Sequence, residues 1–134
     1  MDKLLEQIPE IEKKIKYAFK EKSLLALAFT HRSYTNENKK ITEHNERIEF
    51  LGDSVLGLIM ADYLYKALPD VPEGQLSYLR SRLVDAVACL SFIEKLDVEE
   101  YLLLGKGEKY SADGRGRDSI IADLFEALVG AVYL

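Results

Sequence analysis

The chain has one cysteine, Cys89, three prolines and no tryptophan in 134 residues. A single cysteine can neither close an internal disulfide nor build a multi-cysteine zinc site, so the chain fits a reducing compartment. Long hydrophobic runs are missing too, so no segment is long enough to span a membrane. The opening stretch, MDKLLEQIPEIEKK, lacks the uninterrupted apolar centre of a signal peptide. A cytoplasmic protein with no membrane partner is expected. Basic charge is also short: the net charge is −5, which by itself argues against nucleic acid, since phosphate binding leaves a basic footprint.

What remains is an ordinary globular composition, 48% apolar and 31% charged, enough for one domain over residues 1–134 with a core of its own. No repeat, low-complexity segment or period-2 alternation is present, and the expected fold is all-α.

The run from His44 to Tyr65, HNERIEFLGDSVLGLIMADYLY, reads as one long central helix that stops at Leu68, before Pro69. Its second half is apolar on most sides, as in a helix buried in a core. Its first half carries Glu46, Glu49 and Asp53, which fall within about 60° of one another at helical spacing. Two carboxylates about 5 Å apart repel by roughly 3 kcal/mol at an effective dielectric of ~20. Such a stripe holds a cation, shares a proton or faces water.

A second apolar helix, Ser119 to Leu134, is interrupted by Asp123 and Glu126. A glycine stands one turn after the last acid of each set, Gly57 after Asp53 and Gly130 after Glu126. An interior glycine costs a helix up to about 1 kcal/mol, so a close crossing of the two helices near Gly57 and Gly130 is expected. Glu49, Asp53, Asp123 and Glu126 would then form an oxygen-rich pocket suited to a hard cation such as Mg²⁺.

Around these helices, Pro9 is expected to end or restart an N-terminal helix, and Ser23 to cap a helix running to about Thr30 that His31–Tyr34 closes. Residues 35–43 read as a polar loop and Asn45 as the cap of the central helix. Asp70-Val71-Pro72 is a rigid turn before a helix from Glu73 to about Leu83 that continues, with a break, to Leu96. Asp97 reads as the cap of a short helix to Glu100. Residues 105–116 hold four glycines with Lys106, Lys109 and Arg115, and Arg117 lies just beyond; they read as a flexible basic loop able to contact phosphate. Asp62 has no evident role.

The run HNERIEFLGDSVL resembles the signature of the ribonuclease III family, endonucleases that cut double-stranded RNA. The resemblance extends through THRSY (30–34), PEGQLSYLRSRLV (72–84), LLLGKGE (102–108) and RDSIIADLFEALVGAVYL (117–134), nearly the whole chain. It implies the endonuclease-domain fold, a helical bundle around a long central helix, and Mg²⁺, replaceable by Mn²⁺, held by Glu49, Asp53, Asp123 and Glu126. It implies that Glu46 and Glu73 line the cleavage valley and count with Asp53 and Glu126 among the catalytic acids. Phe50 matches a residue that plugs a socket in the partner of a homodimer, which cuts both strands and leaves short 3′ overhangs. Asp85 stands where the family pattern leads one to expect asparagine or another uncharged residue. The resemblance also implies a double-stranded-RNA-binding domain after the catalytic one, which residues 1–134 do not contain.

Other classes fit poorly. Neither His31 nor His44 follows a glutamate at the Glu-x-x-His spacing of di-iron carboxylate bundles. Gly105-Lys106-Gly107 lacks the Ser or Thr of a phosphate-binding P-loop. A non-catalytic relative, kept as an RNA-binding scaffold, would have lost metal acids, and all four stand here.

Overall fold

The computed structural model describes residues 1–111 and 114–134. It is all-helical: α1 (Asp2–Ile15), α2 (Lys22–Ala28), α3 (Arg32–Glu37), α4 (Glu46–Ala67), α5 (Glu73–Leu83), α6 (Ala86–Leu96), a 3-10 turn (Glu99–Tyr101), α7 (Lys106–Ser111) and α8 (Gly114–Tyr133). None of the described helices is long and apolar enough to cross a membrane.

α8 is the strut. Ile121, Leu124, Ala127, Leu128 and Ala131 are buried along it, and α2, α4 and α6 pack around it. Pro9 does not interrupt α1, contrary to expectation. An interior proline costs about 3 kcal/mol, but the same helix buries Leu4, Ile8 and Ile11, each contributing about 1.5–3 kcal/mol. Burial outweighs the lost backbone hydrogen bond.

The α4–α8 crossing is made by Gly52 and Gly130, not by Gly57. A Cβ on Gly52 would collide with the Glu126 carbonyl and stand 2.9 Å from the Gly130 nitrogen, whereas one on Gly57 would meet nothing within 4 Å. Gly52 lies one turn after Ile48 and one before Leu56, both buried, whereas Gly57 falls about 140° away around the helix.

The second half of α4 is only partly buried: Leu64 is buried, but Leu58 is 69% exposed, Ile59 52%, Tyr63 62% and Tyr65 75%. α8 packs on one side of this apolar helix and α5 on part of another, and among the described residues Leu58, Ile59 and Tyr63 stay exposed. Asp62 lies on that solvent face, where it pairs with Lys66 at 3.1 Å, one turn on.

Other ends differ from the local reading as well. α2 begins at Lys22 with Glu21 as its N-cap, and the Ser23 hydroxyl instead donates to the Glu21 carboxylate at 3.1 Å. His31 opens α3 rather than closing α2; its ring accepts the Ser33 N–H. Asn45 precedes α4 without a side-chain cap bond; its buried amide donates to the Ala28 carbonyl at 3.0 Å, pinning α4 to the end of α2. Asp97 ends α6 in the left-handed region, at φ 56°, instead of capping the turn after it. The break between α5 and α6 is where expected. There Asp85 caps α6 by accepting the Ala88 N–H at 2.8 Å, a task aspartate and asparagine perform about equally well. Residues 106–111 are not loop: α7 occupies Lys106–Ser111. The side chains of Lys109 and Arg115 lie outside what the structure describes.

Candidate active site

Each acid reaches the site because its helix is held by apolar neighbours. On α4, the buried Ile48, Gly52 and Leu56 leave Glu49 at the edge of the packed face, half-buried, and Asp53 further out and exposed. On α8, the buried Ala122, Leu124 and Ala127 flank Asp123 and Glu126 and leave both half-buried. Because the glycine crossing lets the backbones touch, the two acidic edges meet. Oxygens of Glu49, Asp123 and Glu126 all lie within 4.8 Å of one another, and Asp53 is near enough to bear on Glu126.

Their titration reflects that crowding. Burial first, then the charges of Asp123 and Glu46, push Glu49 up to about 7. Burial first, then the hydrogen bond and charge of Asp53, push Glu126 up to about 8. Asp123 is also raised by burial, although its hydrogen bond with Glu49 pulls it back. Without a cation, therefore, Glu49 and Glu126 hold protons to a higher pH than ordinary carboxyls do. The site relieves its like-charge repulsion by holding protons.

The donors are all carboxylate oxygen, the chemistry of a hard divalent cation. Three oxygens within 4.8 Å of one another are close enough that one such cation could draw them together. Cys89 lies behind the site, and burial, together with Glu126, Asp85, Asp53 and Asp123, pushes its thiol up to about 12. It is a neutral core side chain that donates to the Val84 carbonyl at 3.7 Å. These residues fit Mg²⁺ or Mn²⁺ and no thiolate-bound metal.

Of the two further acids, Glu46 is exposed on the rim and pairs with Arg32 of α3 at 3.7 Å. Arg32 falls in the THRSY string, but its pairing with Glu46 has no signal in local spacing, because the partners sit on different helices. Glu73 is not brought to the cluster in this chain. It stands in the first turn of α5, in a groove lined by Ala61, Leu64, Tyr65 and Arg80, about 18–24 Å along α4 from Glu49 at 1.5 Å per residue. Phe50 is 77% exposed, one position round from Glu49 on the outer side of α4.

An apolar groove of about 380 Å³ runs between α4 and α8, lined by Val55, Ile59, Phe125, Val132 and Tyr133 together with Tyr17. It offers surface rather than acid–base groups.

Residues 21–134 match the model of the family described as ribonuclease-III-like. Over 134 residues the chain is 60% identical to ribonuclease 3 of Protochlamydia amoebophila, all of this chain and 55% of that protein. Over 127 residues it is 50% identical to ribonuclease 3 of Chlamydia felis, 95% of this chain and 53% of that protein. The chain thus spans about half the length of the curated relatives it matches. A solved structure of the nuclease domain of ribonuclease III from Campylobacter jejuni, described as flexible in a region involved in dimer formation, superposes with a TM-score of 0.84. That match is 36% identical and covers 94% of this chain and 84% of that one. With the glycine crossing and the carboxylates of α4 and α8 arranged as above, the chain belongs to the ribonuclease-III-like family.

Proposed function

We propose that this chain is the catalytic domain of an endoribonuclease that hydrolyses phosphodiester bonds of double-stranded RNA. It requires Mg²⁺, or Mn²⁺ in its place, and acts as a cytoplasmic homodimer in RNA processing, rRNA maturation included, leaving short 3′ overhangs. The observation that carries this reading is the convergence of Glu49, Asp123 and Glu126 within 4.8 Å, with Asp53 beside Glu126.

When bound, a divalent cation supplies Lewis acidity and an activated water at neutral pH. The chain's own residues do the rest. Glu49 and Glu126 release their protons as the site fills, which turns two neutral donors into charged ligands and couples occupancy to pH. Those protons ease the repulsion beforehand, so the acids stand together without a cation rather than splayed apart. Glu46, paired with Arg32, adds negative charge at the rim without entering the cluster.

The homodimer is supported by the uncovered apolar side of α4, which is larger than solitary surface hydrophobics need. Phe50, Leu58 and Tyr63 on α4 and Tyr133 on α8 are all more than half exposed. Glu73 stands far along α4 from Glu49 in the same chain, so a valley containing both acids would need a second copy. Duplex RNA is selected by A-form shape, 2′-hydroxyls and backbone, because its base edges lie in a deep groove. Residues 1–134 bear few basic clusters and a net charge of −5, so by themselves they bind duplex weakly at physiological salt. A double-stranded-RNA-binding module following them would raise the local substrate concentration.

The decisive measurement is cleavage of a labelled RNA duplex with Mg²⁺, with Mn²⁺ and with chelator. Metal-dependent cuts on both strands are expected. Metal-independent cleavage, or none with either ion at low salt, would overturn the reading.

A further inference from the structure

A second set of long-range contacts, outside the carboxylate cluster, ties the start of α7 to α3. The 103–107 segment runs along 29–37. The Leu103 N–H donates to the Phe29 carbonyl at 2.8 Å and the His31 N–H to the Leu103 carbonyl at 3.0 Å, a lone parallel bridge. One turn on, the Gly105 N–H donates to the Ser33 hydroxyl at 2.8 Å, and that hydroxyl is itself 2.8 Å from Nδ1 of His31. The Glu37 carboxylate then takes the first two N–H groups of α7, from Lys106 at 2.9 Å and Gly107 at 3.3 Å. These are amides a helix leaves without an intrahelical partner. Gly105 has no room for a side chain: a Cβ there would collide with the Glu37 carboxylate and stand 2.6 Å from the Ser33 carbonyl.

The tie sits at the acidic end of α4. α3 carries Arg32, which pairs with Glu46. The His31 ring feels the carboxylates of both Glu108 and Glu46, although burial is what chiefly lowers its pKa. The first turn of α7 is therefore held at the rim of the site, with the exposed Lys106 as its first residue.

We infer that α3 is a brace: Ser33 and Glu37 are positioning residues that fix the first turn of α7, so that Lys106 contacts a phosphate of the duplex beside the carboxylate cluster. The phosphate contact rests on the proposed nuclease function, whereas the brace does not. The brace makes a prediction opposite in sign to simple electrostatics. Removing the Glu37 charge makes the chain less acidic, which alone would tighten RNA binding. A brace requires that RNA binding weaken instead.

The test compares Glu37→Ala, Glu37→Gln and Lys106→Ala with the parent chain. The readouts are amide hydrogen exchange at 105–107, KM and kcat on a short RNA duplex, and the salt dependence of duplex binding. For Glu37→Ala, faster exchange at Lys106 and Gly107 is expected, with KM raised roughly threefold to tenfold and kcat nearly unchanged, the weight of about one phosphate contact. Lys106→Ala should lower the slope of log affinity against log salt by about 1, and Glu37→Gln, which keeps one acceptor oxygen, should recover part of the loss. Unchanged exchange in Glu37→Ala would remove the brace. Tighter RNA binding in Glu37→Ala, or an unaltered slope in Lys106→Ala, would remove the phosphate contact. If the parent chain cuts no RNA, the nuclease reading fails by that result alone, while the exchange data still decide the brace.

Discussion

Gly52 of α4 and Gly130 of α8 face each other so closely that neither can carry a side chain. A Cβ on Gly130 would overlap the Ile48 carbonyl and stand 3.1 Å from the Gly52 nitrogen. Glu126 is one turn before Gly130 and Glu49 one turn before Gly52, so this contact sets the separation of the two acidic pairs. A wider crossing would pull the carboxylates apart and leave them without a shared site.

Gly52→Ala is therefore expected to unfold the domain or lower its melting temperature by many degrees, since backbone on both sides must give way. Gly57→Ala should be neutral or stabilising by up to about 1 kcal/mol, because it replaces a helical glycine in open space. Thermal unfolding of the two variants checks this, and equal effects would mean the crossing lies elsewhere.

Glu126→Gln keeps the size of the side chain and removes a charged ligand oxygen. Cleavage is expected to be lost in Mg²⁺, with an unchanged circular dichroism spectrum. At pH 8 and above without a cation the variant should melt higher than the parent, because the parent must then carry the repulsion that raises Glu126. Cleavage at the parent rate would refute its role as a ligand.

Stability without a cation should fall as pH rises. The folded values of about 7 for Glu49 and about 8 for Glu126 exceed the ordinary carboxylate value of 4.5, so between pH 4.5 and 8 the native state binds more protons than the unfolded one. By linkage, stability then decreases across that window. A bound divalent cation should flatten the fall, and metal affinity and cleavage should both climb through pH 7–8 as the two protons leave. Melting temperature measured from pH 5 to pH 9 with and without Mg²⁺ reads the difference. Parallel curves would show that the cluster does not bind it.

Phe50 is 77% exposed, so Phe50→Ala should leave the fold of the single chain intact. If it anchors each half of a two-fold interface, its loss should weaken the dimer by about 2 kcal/mol or more. Sedimentation equilibrium checks this: an unchanged dissociation constant, or a parent chain that is monomeric at high concentration, would place Phe50 outside any interface.

Local spacing was enough to write the two long helices that carry the site and to name the acids, though α3 was read as a helix end running into loop and α7 as loop. The apolar period over 44–65 and 119–134 marked α4 and α8, the i, i+3 and i+4 intervals put the carboxylates on one edge of each, and the strings shared with ribonuclease III pointed to the family. These features depend on neighbours within a turn or two, so they are visible in one dimension. Local rules did not decide which glycine makes the crossing, whether Pro9 breaks α1, or whether the apolar half of α4 is covered. Each of those is settled by what lies across from the residue: Gly130 opposite Gly52, the core beneath Leu4 and Ile8, and, among the described residues, no element over Leu58 and Tyr63. The same holds for Glu46 and Arg32, and for Glu37 and the first amides of α7. Both pairs join residues distant in sequence, and only the packing of α3 against its neighbours brings them within reach.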